Sequence, residues 1–206
     1  MNKDLIYPDL RATVDSALRL PIAAPRLEVL HELINYIQNK MNAKKDVQLN
    51  FICTHNSRRS QFSQIWAQTA AFYYNLPITC FSGGIEVTAF NPRAVSAMSN
   101  AGFNITSSAG DNPIYQVSFA NEKKPIRAYS KLYDTPEEGK SNFAAILTCS
   151  HAEDNCPFIP DADQRIPLKY TDPKAYDDTP EEEKKYIETS IKIASEIFFV
   201  FSQIKQ

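Results

Sequence analysis

Leu49-Asn50-Phe51-Ile52-Cys53-Thr54-His55-Asn56-Ser57-Arg58-Arg59-Ser60-Gln61 passes from an apolar run to a cysteine and, across five more residues, to an arginine, a serine and an amphipathic segment. A strand that ends where a helix begins turns its backbone N–H groups toward a common centre. Added to the helix dipole, these groups favour a bound dianion. Arg59 supplies a planar, permanently charged fork that matches two oxygens of a tetrahedral oxyanion. The same electropositive setting suits Cys53 to nucleophilic attack, and Ser60 can donate a hydrogen bond to its sulfur. The candidate oxyanion contacts are Thr54, His55, Asn56, Ser57, Arg58, Arg59 and Ser60. Asn56 is a residue type that tolerates the left-handed backbone such a loop needs. The bland alternative is a buried structural cysteine followed by unrelated polar residues. The apolar strand before Cys53 and the Ser-Gln helix start after it argue for anion chemistry.

Working outward, Val47 to Ile52 is apolar enough to be a central strand covered on both faces. Ser60 to Tyr74 reads as a helix with Phe62, Ile65, Trp66, Thr69, Phe72 and Tyr73 inward. Pro77 to Ser82 is a second strand, and Asn91-Pro92 opens a helix that Gly102 ends. Strand, helix, strand, helix predicts a parallel α/β sheet, a three-layer sandwich with about four parallel strands. Tyr115–Phe119 and Ile126–Tyr129 flank a polar stretch and predict an inserted β-hairpin, within an insertion at about 114–142. Phe143 to Thr148 is a further buried strand that ends at Cys149, and Arg165 to Leu168 a short one. Thr179, Pro180 and Glu182 predict a capping box at the start of a last helix. Residues 1–46 form a helical extension, with Leu27, Leu30, Ile34, Ile37 and Met41 at helical spacing and His31 beside that stripe. Residues 47–206 read as one α/β domain built around the Cys53 loop.

The 206 residues carry 43% hydrophobic and 22% charged side chains and a net charge of −2. That balance excludes broad binding to nucleic acid or anionic membrane. No stretch is long and apolar enough for a membrane span, and the N-terminus has no signal core. A cytoplasmic protein is expected, in which the four cysteines start out reduced rather than forming a structural disulfide framework.

Cys149-Ser150-His151-Ala152-Glu153-Asp154-Asn155-Cys156-Pro157 is the second informative stretch. A parallel strand leading into Cys149 delivers it to the sheet edge that carries Cys53. Three thiols, one in an anion cradle, suggest a disulfide relay. The alternatives are a core Cys149 with an incidental Cys156, or a zinc site of Cys149, His151 and Cys156 that lacks a fourth ligand. His151 reads as a solvated loop residue, and Cys80, inside the second strand, as core. No metal or other cofactor is expected.

Phe51 to Gln61 resembles the phosphate-binding loop of the low-molecular-weight protein tyrosine phosphatase superfamily. It is more similar still to the thioredoxin-coupled arsenate reductases, which share that fold. Their loop reads Cys-Thr-Gly-Asn-Ser-Cys-Arg-Ser-Gln. Here His55 replaces the glycine, which predicts strain, and Arg58 replaces the cysteine that in many phosphatases protects the nucleophile by disulfide formation. Ser82-Gly83-Gly84-Ile85-Glu86 and Asn91-Pro92-Arg93-Ala94-Val95 also follow the reductase pattern, and the Cys-x6-Cys-Pro spacing at Cys149 and Cys156 matches it. The resemblance implies that Cys53 forms an arsenate adduct, that Cys149 attacks it and that Cys156 takes over the disulfide for recycling by thioredoxin or a similar thiol reductant. It implies that Asp172, in Asp172-Pro173, assists the departing oxygen; a turn or helix-start aspartate is the alternative. Gln64 stands where the reductases often carry a carboxylate for potassium, which weakens that site here. Lys174-Ala175 after Asp-Pro departs from the aromatic residue of many phosphotyrosine enzymes, with Tyr176 nearby. Two further readings stay open: a tyrosine phosphatase working through a phosphocysteine at Cys53, and a non-catalytic oxyanion-binding or redox-sensing module.

Overall fold

The computed structural model describes residues 1–135, 141–155 and 158–205. Two helices open the chain, α1 (Pro8–Ala17) and α2 (Ala24–Asn42), each with a proline in its first turn, where a missing N–H costs nothing. The expected helical extension is therefore two helices. Leu18 to Ala23, which includes Pro21, separates them.

The central sheet is β1 (Val47–Cys53), β2 (Ile78–Gly84), β6 (Phe143–Leu147) and β7 (Ala162–Ile166), in the order β2-β1-β6-β7 and parallel throughout. Helix α3 (Arg59–Tyr74) makes the crossover from β1 to β2. The chain then returns to the other side of β1, so the strand order reverses between β2 and β6 around β1. Cys53 ends β1, and Cys149 follows the end of β6 by two residues. A parallel sheet leaves its ligand crevice at such a reversal, outside the carboxyl ends of the strands.

Alternation along the strands divides the core in two. Val47, Leu49 and Phe51 of β1 and Ala144 and Ile146 of β6 join the large cluster formed with the helices. Ile52, Phe143, Ala145 and Leu147 face the other way and pack with Cys149, Ala152 and Ile159, and Cys53 at the end of its strand joins that smaller cluster. The large side holds α1, α2, α3, α4 (Pro92–Asn100) and α6 (Glu182–Ser202); the small side holds the short α5 (Ser150–Asn155). Trp66 on α3 is fully buried, donates to Ser190 Oγ on α6 at 2.9 Å and meets Phe103 edge-on at 4.9 Å.

The predicted hairpin exists, as β4 (Tyr115–Ser118) and β5 (Ile126–Ala128), and a third antiparallel strand, β3 (Asn104–Ser107), pairs with β4. Asn104-Ile105-Thr106-Ser107 is exposed except for a half-buried Ile105, so it carries no apolar alternation by which to recognise it. Strand β7 lies three residues earlier than the Arg165–Leu168 expectation. Pairing of Ile166 with Ile146 sets its register, and Pro167, which has no N–H, ends it. The last helix starts at Glu182 rather than at Pro180. The Thr179 hydroxyl accepts from the Glu181 amide at 3.3 Å, and the Glu182 carboxylate accepts from the Asp178 amide at 2.6 Å, one residue off the capping-box register.

Arg26 in the first turn of α2 forms two hydrogen bonds, 2.9 and 2.7 Å, to the Glu196 carboxylate of α6, which is almost fully buried, and its guanidinium lies 5.1 Å from the Tyr170 ring centre. Removing one partner of such a pair strands a charge; removing both does not. Arg26→Ala is expected to destabilise the protein by about 3 kcal/mol, and Arg26→Met combined with Glu196→Met to recover most of that loss. Urea unfolding midpoints check both. Equal loss in the single and double variants would contradict the assignment.

Candidate active site

The loop from Cys53 to Arg58 is shaped by where its carbonyl groups go. Cys53 O and Thr54 O accept from the Ile85 amide at 3.3 and 2.8 Å, and Thr54 O also accepts from Glu86 N at 2.9 Å. His55 O accepts from Ser130 Oγ at 2.7 Å and Thr88 Oγ1 at 3.3 Å. Asn56 O accepts from Gln61 Nε2 at 3.0 Å, Ser57 O from Asn91 N at 3.0 Å, and Arg58 O from Phe62 N at 2.9 Å. Six consecutive carbonyls are thus held by groups around the loop. In a trans peptide the N–H points opposite to the C=O, so the amides of residues 54 to 59 are turned into the loop's interior. That is the anion nest that the sequence implied.

Asn56 adopts φ +47°, the left-handed turn the loop requires. His55 has no positive φ, so the strain expected from replacing glycine does not arise: the left-handed residue is its neighbour. The His55 ring leaves the loop and lies 3.2 Å from Glu86 Oε2. Gly84 packs so closely behind the loop that a Cβ would sit 2.8 Å from both Asn56 N and Thr54 O, which accounts for its glycine.

Cys53 is buried at the base of the loop, its sulfur 3.0 Å from Ser60 Oγ. The Lys131 amide donates to Asn56 Oδ1 at 3.1 Å, which fixes the Asn56 side chain with its NH2 toward Ser60 Oγ at 2.8 Å. Ser60 oxygen accepts there, and its proton is left for the Cys53 sulfur. Arg59 donates to Tyr170 O at 3.0 Å and to Asp172 Oδ2 at 2.6 Å, while Arg58 reaches Asp172 Oδ1 at 2.8 Å and Oδ2 at 3.4 Å. One carboxylate therefore spans both guanidiniums. Burial works to raise the Asp172 carboxyl, but the charges of Arg59 and Arg58, with hydrogen bonds from Arg58 and the Lys174 amide, outweigh it and hold the group below the ordinary carboxylate value. Asp172 also caps the 3-10 turn Pro173–Tyr176. The helix-start reading of this aspartate is realised, and the same side chain reaches both arginines of the loop.

Cys149, also buried, lies 3.5 Å from Thr54 Oγ1 and accepts from the Ala152 amide at 3.3 Å. The structure thus brings Cys53, Arg58, Arg59, Ser60 and Asp172 together, with Cys149 at the rim beside Thr54. Cys156 lies outside the described residues. His151 is solvent-exposed as expected, but it sits on α5 rather than on a loop, and its Nδ1 is 3.2 Å from Thr54 Oγ1. Cys80 is buried within β2, where burial pushes its thiol far up. Gln64 is engaged with Ser82, whose hydroxyl donates to its Oε1 at 2.5 Å, and with Cys80 O. Arg93 pairs with Glu182 at 2.6 Å and with the exposed Asp178 at 2.7 Å, and lies 3.8 Å from Asp177.

Sequence reasoning missed the outer supports of the loop. Ser130, almost fully buried, donates to His55 O and accepts from the Thr88 amide at 2.8 Å; Asn112 holds the Ser130 main chain at both ends, at 2.7 and 3.1 Å. These residues lie in or just before the segment set aside as an insertion, and nothing local marks them, since the contacts span up to 75 residues. A cavity of about 10 Å³ lies above Cys53, lined by Thr54, His55, Ser57, Arg58, Arg59 and Asp172. Beside it runs a groove of about 340 Å³ lined by polar residues that include His55, Thr88, Asn91, Lys174 and Asp177. Tyr176 is not among its lining residues; its ring faces the Lys185 ammonium at 5.2 Å.

No protein-family model matches the chain. Curated arsenate reductases do. That of Staphylococcus aureus (strain Newman) is 32% identical over 149 residues, spanning 72% of this chain and 92% of the relative. That of Brevibacillus brevis is 30% identical over 123 residues, spanning 60% of this chain and 74% of the relative. Among solved structures, the low-molecular-weight phosphotyrosine phosphatase of Vibrio cholerae O395 superposes with a TM-score of 0.50, covering 76% of this chain and 94% of that one at 14% identity, a likeness of fold. With 32% identity spread over nearly the whole of a reductase, and with the loop, the sheet order and Cys53 and Cys149 at one sheet edge, this chain belongs to the arsenate reductase and low-molecular-weight tyrosine phosphatase superfamily of enzymes.

Proposed function

We propose that the protein is a thiol-based arsenate reductase. The observation that carries this reading is the Cys149 sulfur beside Thr54, 3.5 Å from the hydroxyl of a residue that lines the anion cradle. Hydrolysis through a phosphocysteine needs no second thiol there; reduction does. In the proposed sequence the Cys53 thiolate attacks arsenic(V), and one oxygen leaves as water with a proton that Asp172 helps to deliver. The Cys149 thiolate then attacks the Cys53 sulfur. An S–S bond forms, the S–As bond breaks and its electron pair stays on arsenic, which departs as arsenite. Cys156 exchanges into that disulfide, freeing Cys53, and a dithiol such as thioredoxin restores the three thiols. Residues 1–46 stand as an appended helical segment and residues 47–206 as the catalytic domain in this reading.

Arg59 and the amides of residues 54 to 59 serve the anion; Arg58 adds a second cation at the position where many relatives of this loop carry a cysteine. Asp172 competes with the anion for both guanidiniums, since its carboxylate already bonds each of them. A bound oxyanion takes over the arginines and frees the carboxyl, whose proton affinity then rises, as an acid needs.

A second reading, a phosphatase acting through Cys53, is favoured by the groove of about 340 Å³ beside the cradle, which exceeds the needs of a free oxyanion. No Phe, Tyr or Trp among the described residues lines that groove to stack on the ring of phosphotyrosine.

Cys53→Ser is expected to abolish arsenate reduction and phosphate-ester hydrolysis together. Cys149→Ser is expected to lower arsenate reduction to background while leaving any phosphatase activity and anion binding near wild type. Single-turnover arsenite release, measured beside ester hydrolysis, separates the two readings; full arsenate turnover in Cys149→Ser would end the relay. Asp172→Asn is expected to tighten phosphate binding by about tenfold, equivalent to ~1.4 kcal/mol of relieved competition, and to slow turnover by about a hundredfold or more. Calorimetric titration with phosphate and steady-state rates check the pair. Weaker phosphate binding in this variant would contradict the competition.

A further inference from the structure

We propose that His151 receives the proton of the Cys149 thiol through the Thr54 hydroxyl and so activates the second nucleophile. The proposal rests on the reductase reading for its use and on local geometry for its chemistry.

Cys149 is almost fully buried, so its thiol has little direct contact with bulk water. Its sulfur has two partners among the described residues, the Ala152 amide at 3.3 Å and Thr54 Oγ1 at 3.5 Å. An amide N–H can only donate, so it stabilises the thiolate and cannot take the proton. The hydroxyl can do both. It can accept from the S–H while donating onward, and its onward partner is His151 Nδ1 at 3.2 Å. A neutral imidazole that carries its hydrogen on Nε2 accepts at Nδ1. His151 is exposed, so a proton that reaches it exchanges with solvent. The three groups form a line from a buried thiol, through a loop hydroxyl, to a surface base.

The proton balance closes. S–H gives its proton to Thr54 Oγ, and the original hydroxyl proton moves to Nδ1. Cys149 becomes thiolate, His151 becomes imidazolium and Thr54 is unchanged. That thiolate is the species that attacks the Cys53 sulfur in the step described above. Other charges in the neighbourhood do not replace His151. On α5, Glu153 is paired with Lys169 at 2.9 Å and Asp154 is exposed; Arg165 donates to Glu153 O from β7. Across the strand ends, Arg58 and Arg59 are both engaged with Asp172. None of these has a hydrogen bond to Thr54 Oγ1 among the described residues.

The test uses the full chain with His151→Ala and His151→Asn. Asparagine keeps an acceptor for the Thr54 hydroxyl but is no base. Two rates are measured from pH 6 to 9: arsenate-dependent formation of the Cys53–Cys149 disulfide in a single turnover, and modification of Cys149 by methyl methanethiosulfonate, each read by peptide mass. Both variants are expected to be slower by about tenfold at pH 7, the deficit shrinking as the pH rises and hydroxide takes the place of the missing base. Added imidazole is expected to restore part of the rate in His151→Ala. Wild-type rates and pH profiles in both variants would overturn the proposal, as would recovery by His151→Asn, which would leave His151 only a positioning role. If wild-type Cys149 reacts with the thiosulfonate in a His151-dependent manner but no arsenate-dependent disulfide forms, the proton path stands and the reductase reading falls. Reaction of wild-type Cys149 in neither arm overturns the proposal.

Discussion

The site depends on six carbonyl groups being drawn outward. Each of residues 53 to 58 has its C=O accepting from a donor beyond the cradle, so the attached amides face inward. An unpaired buried backbone group is costly, and this accounting leaves few choices for the loop. The donors come from the turn after β2, from the start of α4, from the first turns of α3 and from Ser130 beyond β5. The anion nest is therefore a product of four separate parts of the chain rather than of the loop alone.

The parallel sheet makes that convergence possible. The reversal of strand order around β1 places the ends of β1 and β6 side by side, and with them Cys53 and the segment that carries Cys149 and His151. The preceding strands are covered on both faces, which keeps the cysteines at the rim of a rigid layer. On the large side, α3 and α6 interlock through Trp66, Ser190 and Phe198, so the helix that begins at Arg59 is anchored at its middle. The electrostatic design follows the same economy. Asp172 bridges two guanidiniums and caps its own turn, so that both cations are paired by one carboxylate.

The elements around Cys53 were legible because their signals are local. An apolar run, a cysteine, a polar loop and an amphipathic segment follow one another within a few residues, and periodicity of two and of 3.6 marks the strand and helix on either side. The Asn91-Pro92 start and the Gly102 stop are equally local, and Asn91 does cap α4 through the Arg93 amide. Where expectations slipped, pairing overrode pattern. Strand β3 has no apolar alternation and exists because β4 offers it a partner, and β7 follows the register of β6 up to Pro167. Thr179 and Glu182 carry the capping chemistry expected of them, displaced by the turn that Asp178 makes at φ +61°.

Residue types and spacings by themselves determined the parallel α/β class, the loop that joins Cys53 to Arg59, and the delivery of a second thiol, Cys149, to the same sheet edge, because strand and helix periodicity and a strand-to-helix turn are properties of neighbouring residues. Only the tertiary structure decided that Asp172 holds both arginines, that Asn56 rather than His55 takes the left-handed turn, that Ser130 orients the His55 peptide, and that Thr54 links Cys149 to His151. Each of these is a contact across 75 or more residues, or a choice among backbone states that such contacts make. Hydrogen bonds and charges act over a few ångströms, and chain separation says nothing about that distance until the sheet has closed.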